Sequence, residues 1–99
     1  MQVTEIKSSD AIQLNVEGKV DTTTAPQLQQ AILTAFQKTK NVILNLEAVA
    51  YMSSAGLRAL LLGTKTAASK GGSMKLIHVQ DSVMQVFEVT GFKSILTIE

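Results

Sequence analysis

Residues 42–62 read VILNLEAVAYMSSAGLRALLL, in which an apolar run, a short loop and a leucine-rich stripe follow one another. The run over residues 42–46 is short, continuous and rich in branched side chains, which predicts a central strand buried on both faces. Leu57, Leu60 and Leu61 then recur at helical spacing, which predicts a helix with one apolar face. A strand followed by a helix is the unit of α/β folds.

The residues upstream predict a hairpin and a first helix. Apolar and polar residues alternate through residues 3–6 and 12–17, the period of a half-buried strand, and residues 8–10, Ser-Ser-Asp, suit a turn between them. A helix over residues 25–36 is predicted by the spacing of Ala25, Leu28, Ala31, Ile32, Ala35 and Phe36. The threonines before this helix and Pro26 in its first turn are start signals, because a hydroxyl can cap free amides and proline needs no donor there.

The residues downstream complete the pattern. Gly71 and Gly72 end the second helix, since glycine readily takes the left-handed conformation of a helix terminus. A strand is predicted over residues 74–79, a third helix over residues 83–90 and a short last strand over residues 95–98. The order β-β-α-β-α-β-α-β predicts a single α/β domain, a mixed β-sheet with flanking helices.

Composition and charge exclude several classes of protein. The chain has 99 residues, no cysteine, nine basic and eight acidic residues, and a net charge of +1. Ninety-nine residues are enough for one domain. Basic and acidic residues are nearly equal in number, so the sequence does not predict the basic face with which proteins bind nucleic acid. No signal-peptide pattern opens the chain, and its longest nearly apolar run, residues 57–62, contains Arg58 and is far shorter than a membrane span. We therefore expect a cytoplasmic protein with no nucleic-acid partner and no direct membrane insertion.

The residue types needed for catalysis are not assembled in the sequence. His78 is the only histidine and falls within a predicted strand, whereas a serine nucleophile needs a neighbouring base. The acidic residues lie in separate segments without the spacing of a calcium or zinc site. We predict a binding module that is not an enzyme, with no catalytic residue, no cofactor and no metal site.

The loop before the second helix leads into Ser53-Ser54-Ala55-Gly56. Serines at a helix start are ordinarily caps that accept hydrogen bonds from free amides. However, Ala55 and Gly56 leave the hydroxyls uncovered, and glycine inside a helix costs about 1 kcal/mol relative to alanine, so a close approach is expected at Gly56. A phosphate here would bring a charge of about −1.5 to −2 to a helix N-terminus that favours anions. A cap and a phosphoacceptor both remain open on these residues alone.

Taken together, the motifs resemble the STAS domain family in its single-domain form, the anti-sigma factor antagonists. The resemblance covers essentially the whole chain, 1–99, and its most specific part is Tyr51-Met-Ser-Ser-Ala-Gly-Leu57. It also rests on Glu17-Gly-Lys-Val-Asp21 with the following threonines, residues 42–46, residues 72–76 and residues 86–92. The family implies a mixed sheet flanked by helices and a phosphorylatable serine at the start of the helix after the central strand.

The resemblance also implies partners and site residues. The unphosphorylated protein would bind an anti-sigma factor that is itself a serine kinase of the GHKL ATPase type, releasing a sigma factor. Phosphorylation would abolish binding, and a metal-dependent serine phosphatase would reverse it. By position the acceptor is Ser54, with Ser53 as the less favoured alternative. The residues expected to contact the partner are Asp21, Thr22, Thr23, Ser53, Ser54, Gly56 and Arg58.

One departure from the family pattern concerns the acceptor itself. The commonest form is Asp-Ser-Ser-Gly, whereas here Ser53 replaces the aspartate and Ala55 replaces the second serine. The loss of the carboxylate removes local negative charge and bears on kinase recognition.

Two other functions also remain open, a STAS subunit of a transport complex and a partner-switching regulator with a non-transcriptional output.

Overall fold

The computed structural model describes all 99 residues and contains one five-stranded mixed sheet with three α-helices. The elements are β1 (Gln2–Lys7), β2 (Ile12–Glu17), α1 (Ala25–Phe36), β3 (Asn41–Ala48), α2 (Ser54–Ser69), β4 (Ser73–Ile77), α3 (Asp81–Thr90), a 3₁₀ turn (Phe92–Ser94) and β5 (Thr97–Ile98). The strands lie side by side in chain order, with β1 antiparallel to β2 and all later neighbours parallel. The predicted order of elements and the predicted fold class are confirmed.

The core lies on one face of this sheet. Leu14, Leu44 and Leu76 are paired in register across β2, β3 and β4, and each is at most 2% exposed. The helices place their own apolar residues in the same cluster, for example Ile32 from α1 and Phe87 from α3. Burial of apolar surface on this face is therefore the main force that holds the helices to the sheet.

The prediction that β3 is buried on both faces is wrong. Its residues alternate between buried and half-buried through residues 41–46, because the helices cover only one side of the sheet. On the other side, the side-chain amide of Asn45 donates to Oδ1 of Asn15 at 3.1 Å, and the amide of Gln13 donates to the same atom at 2.9 Å. Polar side chains on the uncovered face thus satisfy one another while staying partly in contact with water.

Two boundaries near the C-terminus also differ from the predictions. Strand β4 ends at Ile77, and His78, predicted to lie within it, is exposed in a left-handed conformation with φ 56°. The last strand is only Thr97–Ile98, since the 3₁₀ turn and Ile95 come before it.

No helix is both long enough and apolar enough to cross a membrane.

Gly71 and Gly72 end α2 as predicted, but for two different reasons. Gly71 takes the left-handed conformation, with φ 69°, and its N–H and that of Gly72 donate to the carbonyls of Ala68 and Ala67. Gly72 has an ordinary φ and instead passes against the backbone of Lys40, because β3 and β4 begin side by side. A side chain at residue 72 would run into the Lys40 carbonyl.

This division of roles predicts that Gly72→Ala destabilises the protein more than Gly71→Asn. We expect Gly72→Ala to lower the free energy of unfolding by about 2–3 kcal/mol, because two backbone segments would have to separate. Gly71→Asn should cost less than about 1 kcal/mol, because asparagine tolerates the left-handed conformation and the site is open. Urea denaturation of both variants measures the difference. Wild-type stability of Gly72→Ala would show that the close approach is not a constraint.

Candidate functional site

Two loops lie side by side at the carboxyl ends of β2 and β3. The N–H of Val20 donates to the carbonyl of Tyr51 at 3.1 Å, and the N–H of Ser53 donates to the carbonyl of Val20 at 2.8 Å. These hydrogen bonds form an isolated parallel bridge between Val20 and Met52. The bridge holds the start of α1 beside the start of α2, so residues 21–23 and residues 53–58 share one end of the molecule.

Ser53 and Ser54 have different roles at the start of α2. Ser53 is the N-cap and is half-buried, and its Oγ accepts a hydrogen bond from the N–H of Gly56 at 3.3 Å. Ser54 is the first helical residue and is exposed, with no side-chain hydrogen bond to the rest of the protein. Its hydroxyl is the accessible one of the pair. The capping interpretation therefore applies to Ser53, and the phosphoacceptor interpretation concerns Ser54.

Gly56 lies under this surface rather than on it. It is buried, and a Cβ there would approach Cγ1 of Val20 to 2.7 Å and collide with the sulfur of Met52. The close approach expected at Gly56 therefore comes from this chain's own bridge residues. The prediction that Gly56 contacts a partner does not fit this position, because the residue is buried. Gly56 instead lets α2 pack closely on the bridge.

Asp21 organises the start of α1. Its Oδ1 accepts hydrogen bonds from the hydroxyl of Thr23 at 2.7 Å, from the N–H of Thr23 at 2.9 Å and from the N–H of Thr24 at 3.0 Å. Thr24, the N-cap, makes no side-chain capping bond. The prediction that threonine hydroxyls cap this helix is therefore wrong. The carboxylate of Asp21 instead caps the turn that leads into α1, where it accepts from the N–H groups of Thr23 and Thr24. A negative charge is favourable at this end of a helix.

A groove of about 450 Å³ separates the first turns of the two long helices. Thr22 and Arg58, both predicted site residues, line it from opposite sides, together with Pro26 and Gln29 of α1 and Ala55 of α2. Thr23 is exposed nearby in the same turn. The structure thus brings the predicted contact residues to one end of the molecule, with Ser54 on the helix that forms one wall of the groove.

Tyr51 is a surface residue that the sequence analysis did not single out. Its side chain is 51% exposed, although its carbonyl takes part in the bridge. Aromatic residues held on exposed loops are frequent anchors in protein interfaces. The available signal was the aromatic side chain directly before the Met52-Ser53-Ser54 motif. Pro26 and Gln29 carried no such signal, because only the packing of α1 against α2 places them beside Arg58.

The groove is lined by one ionisable side chain, that of Arg58. His78 is exposed beyond the end of β4, and no group of three or more His, Cys, Asp or Glu side chains is arranged to hold a metal ion. α1 contains no charged residue, and α2 contains only Arg58 and Lys65. The exposed hydroxyl of Ser54 therefore lies on a helical face without carboxylates.

The Asp21 cap predicts a contribution to stability that disappears in acid. The hydrogen bond from the Thr23 hydroxyl, followed by the backbone hydrogen bond from Thr24, lowers the pKa of Asp21 below its ordinary value of 3.8. A carboxyl whose pKa is lower in the folded state stabilises the protein above 3.8, and this stabilisation is lost as the pH falls through the folded-state pKa.

We expect Asp21→Asn to be less stable than wild type near neutral pH and to approach wild-type stability at strongly acidic pH. Asparagine keeps an acceptor for the amides of Thr23 and Thr24 but carries no charge. The variant therefore isolates the contribution of the negative charge to stability. Thermal unfolding of both proteins from neutral to strongly acidic pH measures the difference in stability. Asp10→Asn is the control, since that side chain accepts no hydrogen bond in the structure. A stability difference that did not change with pH would argue against the charged cap.

Comparisons with known proteins agree with this architecture. A family model described as the STAS domain matches residues 2–99. The anti-sigma-B factor antagonist of Bacillus subtilis (strain 168) is 29% identical over 92 residues, covering 93% of this chain and 84% of that protein. The name of that relative states that it antagonises an anti-sigma factor.

Two solved structures of the anti-sigma factor antagonist SpoIIAA share the fold. The unphosphorylated form has a TM-score of 0.82 at 19% identity, covering 99% of this chain and 88% of that one. The phosphorylated form of the Bacillus protein has a TM-score of 0.75 at 18% identity, covering 99% and 91%. Since the STAS model spans all but the first residue, this chain belongs to the STAS domain family.

Proposed function

We propose that this protein is an anti-sigma factor antagonist of a partner-switching pathway and that residues 1–99 act as one STAS domain. In its unphosphorylated form it binds an anti-sigma factor, and the sigma factor is released. The observation that carries the proposal is the exposed, unbonded hydroxyl of Ser54 at the start of α2, next to a groove formed by two helices. The relative from Bacillus subtilis carries the same function in its name.

The partner is proposed to be both an anti-sigma factor and a serine kinase of the GHKL ATPase type. It would contact the exposed end of the molecule formed by Asp21, Thr22, Thr23, Ser53, Ser54 and Arg58, and Tyr51 extends this surface. Gly56 supports the surface from below, because it is buried against Val20 and Met52. The chain itself acts as a binding partner and a substrate in the cytoplasm, and a metal-dependent serine phosphatase would restore the unmodified form.

The position of Ser54 suits a modification that changes binding and leaves the fold intact. The first amides of a helix have no acceptor within the helix, and a phosphate there is favoured by these amides and by the helix dipole. The added charge of about −1.5 to −2 lies on an exposed residue, so no packed side chain has to move. A partner docked over the same surface would have to desolvate that charge, which weakens the complex.

The first prediction from this proposal concerns the site of modification. Incubation with the cognate kinase and ATP should add one phosphate, and peptide mass spectrometry should place it on Ser54. Ser54→Ala should take up none. Ser53→Ala is the matched control and should still be phosphorylated at residue 54, because Ser53 acts as a cap. Phosphate on another residue, or none on the wild type, would contradict the proposal.

The second prediction concerns affinity for the kinase. Ser54→Ala should bind as tightly as the unmodified wild type, whereas Ser54→Asp should bind at least about tenfold more weakly, because a charge is then buried in the interface. Isothermal titration calorimetry measures both. Ser9→Asp, in the exposed turn between β1 and β2, adds the same charge away from the groove and should bind normally. Equal affinities of the two Ser54 variants would refute electrostatic exclusion.

A further inference from the structure

Arg58 is the only charged residue that lines the groove between α1 and α2. It is exposed and belongs to none of the three ion pairs of the molecule, which join Lys38 to Glu5, Lys75 to Glu99 and Lys93 to Glu88. No side-chain hydrogen bond engages it either. The guanidinium of Arg58 therefore lies near Ser54 without an ion-pair or hydrogen-bond partner. It makes no polar contact that would stabilise the fold.

No carboxylate on the neighbouring helices competes for Arg58. α1 has no charged residue, and the only other charged residue of α2 is Lys65, also a cation. The carboxylate of Asp21, in the adjacent turn, is engaged by the hydroxyl and N–H of Thr23 and by the N–H of Thr24. An anion introduced on α2 near Arg58 would therefore find this guanidinium free.

Ser54 and Arg58 have the spacing at which side chains of one helix meet. Residues four apart lie on the same helix face, with Cβ atoms about 5–6 Å apart. Side chains in a helix point back toward its N-terminus, so the long side chain of Arg58 can reach the turn that carries Ser54. An acidic group four residues before a basic one is the more favourable order, and the guanidinium fork matches two phosphate oxygens.

We propose that Arg58 is the internal counter-ion of a phosphate on Ser54, an inference that rests on the function proposed above. In the modified protein the phosphate would pair with the guanidinium one turn later on α2. The pairing would withdraw the only cation from the groove at the moment when a charge of about −1.5 to −2 is added beside it. Phosphorylation would thus change the charge of the surface in two ways, by adding an anion and by engaging Arg58.

The pairing is tested by ³¹P NMR titration of protein carrying phosphoserine at residue 54. The phosphoserine is introduced during translation, so the experiment does not need the kinase. A neighbouring cation favours the dianion, and we expect the second pKa of the phosphate to be about 0.2–0.4 lower in otherwise wild-type protein than in Arg58→Ala. The difference should shrink in 1 M salt, because an exposed pair is screened.

Lys65→Ala is the matched control, since it removes the other cation of α2 about 16 Å farther along the helix from Ser54. It should leave the phosphate pKa at the wild-type value, while Arg58→Lys should retain part of the lowering. Equal pKa values in wild type and Arg58→Ala would overturn the proposal, as would an equal effect of Lys65→Ala. Failure of the kinase to modify Ser54 would instead refute the proposed function, so the two failures are distinguishable.

Discussion

The parallel bridge between Val20 and Met52 holds together the two segments that carry the candidate site. Both side chains are almost fully buried, at 0% and 3% exposure, and two backbone hydrogen bonds fix the loops relative to each other. Gly56 lets the first turn of α2 lie directly on this bridge, because a larger residue would collide with both side chains. The groove, the accessible hydroxyl of Ser54 and the position of Arg58 beside α1 all follow from that packing.

The one-sided core explains why the site lies where it does. Three parallel strands present their buried leucines to the same face, and the helices gather there because that is where apolar surface can be removed from water. In parallel sheets the loops after successive strands meet at one edge. The loops after β2 and β3 therefore meet at the starts of α1 and α2, where helix amides favour negative charge.

The two serines at the start of α2 have different structural roles. Ser53 uses its hydroxyl to cap α2, so the helix start is stabilised without any help from Ser54. The hydroxyl of Ser54 therefore makes no hydrogen bond within the protein and is exposed at the surface. The family's commonest aspartate is absent at residue 53, and with it a carboxylate that would have repelled a phosphate and competed for Arg58. A serine cap in that position keeps the helix start intact and leaves the first turn of α2 without a carboxylate.

The sequence by itself determined the order of elements, the single α/β domain and the stretch that contains the site, because periodicity and turn residues act locally along the chain. It also singled out Ser53 and Ser54, but only the structure showed that Ser53 is the cap and that Ser54 is exposed. The tertiary structure decided what depends on contacts between distant residues. These are the uncovered face of β3, the capping of α1 by Asp21, the burial of Gly56 under Val20 and Met52, and the meeting of Thr22 with Arg58 across one groove. None of these contacts produces a periodic pattern in the sequence. They depend on how the helices pack on the sheet, and only the tertiary structure shows that packing.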